Sequence, residues 1–341
     1  MEKPKECFRT RVGGQALIEG IMMRGPEKIC VAVRKPDGTI DLMMDQVKHH
    51  PWSKIPFLRG VLNMVENLVL GYRYLMHSAD VSLGDEEEEE PSKLEQWLQD
   101  HLGDAFEKAL MGAASVLGVV LALVLFMALP AFCVKTLGRF VPLAGPVKAL
   151  LEGVVKIAIF VIYLYLCTRM KELHRVFEYH GAEHKTIACY EARLELTVEN
   201  VRKQIRFHPR CGTSFMILVL LVSIFVNAFL SWDNLALRVA GKLLLLPVVM
   251  GVSYELIMLA GRYNNLFTRA FSAPGLWMQR LTTFEPNDSM IEVAIAAVEA
   301  VFDWKAYLRE NFPDTEISED RADAAVSGPA QNQAISREEA G

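Results

Sequence analysis

The 341-residue sequence contains no Gly-Lys-Ser/Thr phosphate loop and no G-x-G-x-x-G fingerprint, so two common nucleotide-binding devices are missing. Its six cysteines follow no regular spacing and give no basis for a disulfide framework. The first thirty residues hold no apolar run, so internal segments are expected to direct membrane insertion. Neither cations nor anions dominate. Thirty-six Lys and Arg against 41 Asp and Glu give a net −5, which argues against a nucleic-acid partner.

What is present is oil and charge kept apart. Hydrophobic residues make up 52% and mean hydropathy is +0.20, yet 23% of residues are charged. That mixture suits a membrane domain with polar additions. Four apolar runs, Ala109–Val134, Leu150–Thr168, Phe215–Leu230 and Val239–Ala260, approach the roughly 20 residues that a helix needs to cross a bilayer. The polar segment between the second and third runs carries nine Lys and Arg; the loop after the first run has three and Ser231–Arg238 has one. The positive-inside rule places that segment in the cytosol, and four spans then put both termini there too. The expected fold is a mainly α, multi-pass cell-membrane protein with about four transmembrane helices, an amphipathic surface helix and a small N-terminal cytosolic β-hairpin module.

Taken in order, residues 1–54 read as that module, with strands at Lys28–Arg34 and Thr39–Met44 around the turn Pro36-Asp37-Gly38. The preceding Gly13–Pro26 stretch reads either as a glycine-rich turn or as a ligand loop. Residues 55–84 form an amphipathic helix, since Arg59, Glu66 and Arg73 are too costly for a span. An acidic linker follows at 85–93, then a juxtamembrane helix and two spans at 94–168. The His/Cys segment is 169–214, and 215–260 holds the last two spans. Within the spans Glu255 is expected to face a polar interior, and Glu152 and Lys156 lie near a span end. In the helical region 261–312, Ser272–Thr283 reads as a turn and a short amphipathic piece. Ser289-Met-Ile-Glu292 there reads as a capping box opening a helix to about Leu308. Residues 313–341 read as disordered.

The chemistry concentrates in 169–214, which holds four of the eight histidines and the pattern His180-Gly-Ala-Glu183-His184. On one helix over Arg169–Glu195, His180 and His184 stand one turn apart and can chelate one Zn²⁺. Glu183 beside them is placed to act as general base toward a bound water. This H-x-x-E-H order is the inverted zincin signature. The third ligand is His208 or Cys211 from the His208-Pro-Arg-Cys211 turn, or Glu191 two turns along the same helix. A closed four-ligand set would be structural instead of catalytic. Two other readings of the same residues stand: interfacial histidines bonded to lipid headgroups, and a His208–Cys211 thiolate pair.

Four stretches together resemble the YqhQ-like bacterial membrane proteins, a family of unknown function described as predicted metal-dependent enzymes. They are Gly13–Gly25, Tyr179–Thr186, His208–Ser214 and Pro274–Thr283. The resemblance implies a multi-pass membrane protein and a metal-dependent activity. The leading expectation is therefore a membrane-embedded, hydrolase-like zinc enzyme with Glu183 as base and His180, His184, His208 and Cys211 as metal ligands. In it Glu19 and Arg24 of the glycine-rich loop are candidates to enter the same site. Its partners would be the lipid bilayer and an unassigned substrate or protein. The alternatives are a non-catalytic assembly or scaffold protein and, last, a transporter.

Overall fold

Strand Lys28–Arg34 is buried on both faces, at the centre of the packing between the N-terminal sheet and its covering helices. A computed structural model describes residues 12–83, 112–208, 211–230, 234–262 and 266–311. The acidic linker, the 94–108 helix, Pro209, Arg210 and the tail at 313–341 lie outside the described residues. The elements run β1 (Gly13–Leu17), β2 (Gly20–Arg24), β3 (Lys28–Arg34), β4 (Ile40–Gln46) and α1 (Leu58–Leu83). Helices α2 (Gly112–Leu137), α3 (Gly145–Cys167), α4 (Lys171–Glu191), α5 (Val198–Arg202) and α6 (Gly212–Asn227) follow. The chain continues through α7 (Leu235–Arg262), α8 (Leu266–Thr282), α9 (Asp288–Val301) and α10 (Trp304–Asn311).

The four strands form an antiparallel meander in the order β1-β2-β3-β4. The expected hairpin is β3–β4, with Gly38 at φ +86° in its turn and Asp37 Oδ1 accepting from the Thr39 N–H at 2.8 Å. The glycine-rich stretch is not merely a turn before it. It supplies β1 and β2, joined across Leu17↔Gly20 with Glu19 in the left-handed region at φ 49°. Alternation along β3 explains its double burial. Ile29, Val31 and Val33 pack with Leu17 and Tyr74 beneath α1, while Cys30 and Ala32 join Ile21 and Met23 against α4 and α9. The sheet therefore shares one core with Tyr179, Ala182 and Ile187 of α4 and with Met290, Ile291 and Ala294 of α9.

Among the described residues three helices are long and apolar enough to cross a membrane: α2, α3 and the Leu235–Leu259 part of α7. The expected third crossing, α6, is an apolar helix of only 16 residues, roughly 24 Å at 1.5 Å per residue against a core of about 30 Å. The four expected apolar runs thus correspond, among the described residues, to three helices of crossing length and one shorter apolar helix. Two carboxylates inside this bundle are paired with cations. Glu152 of α3 accepts from Arg238 of α7 at 2.8 Å and also pairs with Lys242. Glu255 of α7 accepts from Arg59 of α1 at 2.8 and 2.5 Å, so the polar interior expected for it is an inter-helix ion pair.

Three local expectations change. Helix α4 is separate from α3, because the chain turns at 168–170 before Lys171. Residues 266–282 form one helix with Pro274 inside it, not a turn and a short piece. Helix α9 is capped by Asn287, whose side chain accepts from the Met290 N–H at 3.0 Å, so no capping box starts at Ser289. It ends at Val301, and α10 resumes at Trp304.

Candidate metal centre

Helix α4 turns the His184 side of its last turns into the core: His184 is 1% exposed, Gly181 through Ile187 are buried, and His180 is half-buried beside them, while His174 lies nearer the surface. The four positions between His180 and His184 span just over one turn, which sets the two rings edge to face with centroids 4.4 Å apart. His180 Nδ1 lies 2.7 Å from the Thr282 carbonyl at the end of α8. His184 Nδ1 lies 2.6 Å from the Arg206 carbonyl. A carbonyl only accepts, so each ring donates through Nδ1–H and keeps its lone pair on Nε2. That is the tautomer and the outer support that a zinc-ligating imidazole needs.

The Nε2 of His180 points at Cys211 Sγ, 3.1 Å away. Ligand atoms of His180, His184 and Cys211 all lie within 4.8 Å of one another. Zn–N and Zn–S bonds in a tetrahedral site put ligand atoms roughly 3.3–3.8 Å apart, so small side-chain adjustments suffice to close on one ion. Cys211 is the N-cap of α6, and its sulfur accepts from the Thr213 N–H at 3.4 Å.

Glycine explains how the carbonyls come so close. A Cβ on Gly181 would collide with the Phe284 carbonyl, so only glycine lets the 282–286 segment cross α4 beside His180. Phe284 N–H donates to the Phe177 carbonyl at 3.0 Å and holds that crossing. Gly275 likewise lets α8 pack on Ser214 at the start of α6. From α8, the buried Gln279 accepts from the His208 N–H at 2.8 Å and donates to the His208 carbonyl at 2.7 Å and Ser214 Oγ at 3.1 Å. One amide thus ties His208 to Ser214.

The remaining candidates sit around this triangle. His208 lies outside it, its ring 5.7 Å from that of His184 and its Nε2 3.7 Å from Glu191 Oε2. Glu191 therefore meets His208 instead of completing the ligand set. The Glu183 carboxyl turns toward β1, where it accepts from the Gly14 N–H; among the described residues its Oε2 has no hydrogen-bond partner. Complete burial raises its pKa above the usual carboxylate value, opposed by His180 and by the Gly14 N–H. Burial likewise lowers the pKa of His184 and keeps its imidazole neutral, with the Cys211 contact opposing. Glu19 and Arg24 do not enter the site: Glu19 pairs with Arg175 and accepts from Tyr179 at 3.3 Å, and Arg24 reaches Asn67 at 3.4 Å.

The pattern H-x-x-E-H left out Thr282, Arg206, Gln279 and Gly14, which orient the histidines and the glutamate. Backbone carbonyls leave no trace in a side-chain motif. The resembling stretches Gly13–Gly25 and Pro274–Thr283 were the available signal, and both converge here.

A model of the family described as "Protein of unknown function (DUF1385)" matches residues 55–304. The chain is 35% identical over 304 residues to an uncharacterized protein, YqhQ, of Bacillus subtilis, covering 88% of this chain and 94% of that relative. No solved structure matches the chain significantly. Shared along most of its length with that relative and through the family's matched region, the chain belongs to the DUF1385 family.

Proposed function

We propose that the chain is a membrane-embedded, zinc-dependent enzyme of hydrolase type, centred on His180, His184 and Cys211 at the cytosolic boundary of the bilayer. The observation that carries this reading is the pair of Nδ1-to-carbonyl hydrogen bonds that orient both rings, with His180 Nε2 3.1 Å from Cys211 Sγ and a ligand atom of His184 within 4.8 Å of both. Two nitrogens and one thiolate are a zinc donor set, and three protein ligands leave a fourth position for a water or a substrate. When bound, the ion would act as a Lewis acid and lower the pKa of that water. Glu183, whose complete burial raises its pKa and whose Oε2 has no hydrogen-bond partner among the described residues, is the general acid–base of this reading. In this reading α6 is the fourth, short crossing, both termini are cytosolic, and nine Lys and Arg in 169–210 hold that side inward.

The test is elemental analysis of the detergent-purified full chain. About one zinc per chain is expected for the native protein and for Glu183→Gln, and none for His180→Ala/His184→Ala. A native chain without any transition metal would end this reading. A second reading, a scaffold closed by a structural metal, is favoured by the proximity of the His208 ring to His184. His208→Ala separates the two: an open three-ligand site keeps its metal, whereas a closed four-ligand site loses it.

A further inference from the structure

A pocket of about 310 Å³ lies where the sheet, α1 and α7 meet, and none of its lining residues belongs to the metal centre. From the sheet side come Arg24 at the end of β2 and Lys48, His49 and His50 after β4. Across from them stand Asn63, Glu66 and Asn67 of α1 and Tyr254 of α7. Two permanent cations face one carboxylate, and two imidazoles add positive charge when protonated. Arg24 spends one donor on Asn67, at 3.4 Å, and Asn63 donates to the Tyr254 hydroxyl at 3.1 Å. The remaining guanidinium donors and the Lys48 ammonium suit an anionic, oxygen-rich ligand.

Position decides which anion. Tyr254 falls in the last turns of the apolar stretch Leu235–Leu259, so the pocket sits where an apolar helix gives way to polar chain. Along α1, Val65, Leu68, Val69 and Tyr72 recur at helical spacing and are 50 to 64% exposed. Such a stripe on a helix that also carries charge lies in the plane of a membrane surface. Trp52 stacks on His50 with ring centroids 4.1 Å apart, an aromatic at the same level. The volume is at the lower end of the roughly 300–1,000 Å³ range of small-molecule sites, enough for a headgroup whose acyl chains remain outside.

From these observations we propose that the pocket binds the phosphate headgroup of an anionic phospholipid, with Arg24 and Lys48 as the phosphate contacts. The proposal rests on α7 being a membrane span and is independent of whether His180, His184 and Cys211 hold a metal. Native mass spectrometry of the full chain, titrated with phosphatidylglycerol or phosphatidylcholine, tests it. Arg24→Gln/Lys48→Gln is expected to retain phosphatidylglycerol on the order of tenfold less than the native chain, with phosphatidylcholine unchanged. Lys35→Gln/Lys203→Gln removes the same charge elsewhere and is expected to retain it normally. Lys48→Gln alone, at an exposed position, gives a smaller loss in the same direction and keeps the test decisive where the double variant misfolds. Equal retention in the native chain and both Lys48 variants overturns the proposal. So does an equal loss in Lys35→Gln/Lys203→Gln, or displacement of the lipid by millimolar inorganic phosphate.

Discussion

The carboxyl of Glu183 rests on the backbone of Gly14, 169 positions earlier in the chain by their numbers, and a Cβ built on Gly14 would stand 3.0 Å from Glu183 Cδ. The same Cβ would lie 2.7 Å from the Met22 carbonyl and 2.9 Å from Met23 Sδ. Gly14→Ala is therefore expected to destabilise the chain by about 1–3 kcal/mol through overpacking and to displace Glu183. Thermal unfolding in detergent checks this; an unchanged midpoint contradicts the packing.

Gly181→Ala should act on the metal centre without touching a ligand. Its Cβ would collide with the Phe284 carbonyl, pushing the 282–286 segment away and freeing His180 Nδ1 from the Thr282 carbonyl. Loss of such an orienting partner typically costs about 10–100-fold in metal affinity. Competition with a zinc chelator reads the change, while retained far-ultraviolet dichroism shows that α4 persists.

Gln279→Leu removes the amide that holds both backbone groups of His208 and the hydroxyl of Ser214. Two backbone groups of a buried turn are left without their partner, at about 1–3 kcal/mol each. A lowered unfolding midpoint is expected together with weaker zinc retention. Normal zinc content in this variant would mean that Cys211 is positioned by α6 alone.

Within the apolar bundle, Glu152→Gln leaves the buried cations Arg238 and Lys242 without their carboxylate. Breaking a buried ion pair from one side costs about 3–5 kcal/mol, so this variant is expected to accumulate poorly and unfold early. Recovery in Glu152→Gln/Arg238→Gln relative to the single variant, read from midpoints, checks the coupling.

Burial pushes the Cys30 thiol up to about 12, with Asp41 adding to the rise, and burial alone pushes Cys189 to about 12. Both folded values lie above the ordinary 9.0, so the stability they contribute is fully present below pH 9. It is lost as pH rises from 9 toward 12. The unfolding midpoint should fall over that window, and neither thiol should react with iodoacetamide in the folded chain at pH 8. Rapid alkylation of Cys30 at that pH would contradict its place between the sheet and α9.

Much of the outline was legible in residue order. The β3–β4 hairpin announced itself through Pro36-Asp37-Gly38 between two β-rich runs, and α2, α3 and α7 through their apolar length. The spacing of His180 and His184 already implied two imidazoles on one helical face. Cys211 was visible only as one of several third-ligand choices. Elsewhere local rules misled. Pro274-Gly275 reads as a turn, yet packing of α8 on α6 through Gly275 and Ser214 sustains a helix there. Ser289 reads as a cap, yet Asn287 reaches the Met290 N–H first.

The periodic features follow from residue order alone: apolar stretches of membrane length, alternation in β3, and two histidines one helical turn apart. These depend on neighbours a few residues away, so composition and spacing carry them. Long-range packing is what brings Cys211 to His180, sets Thr282 and Arg206 against the two imidazoles, and lays Glu183 on Gly14. Those contacts join positions far apart in the chain through backbone atoms, which every residue possesses, and no one-dimensional pattern distinguishes one carbonyl from the next.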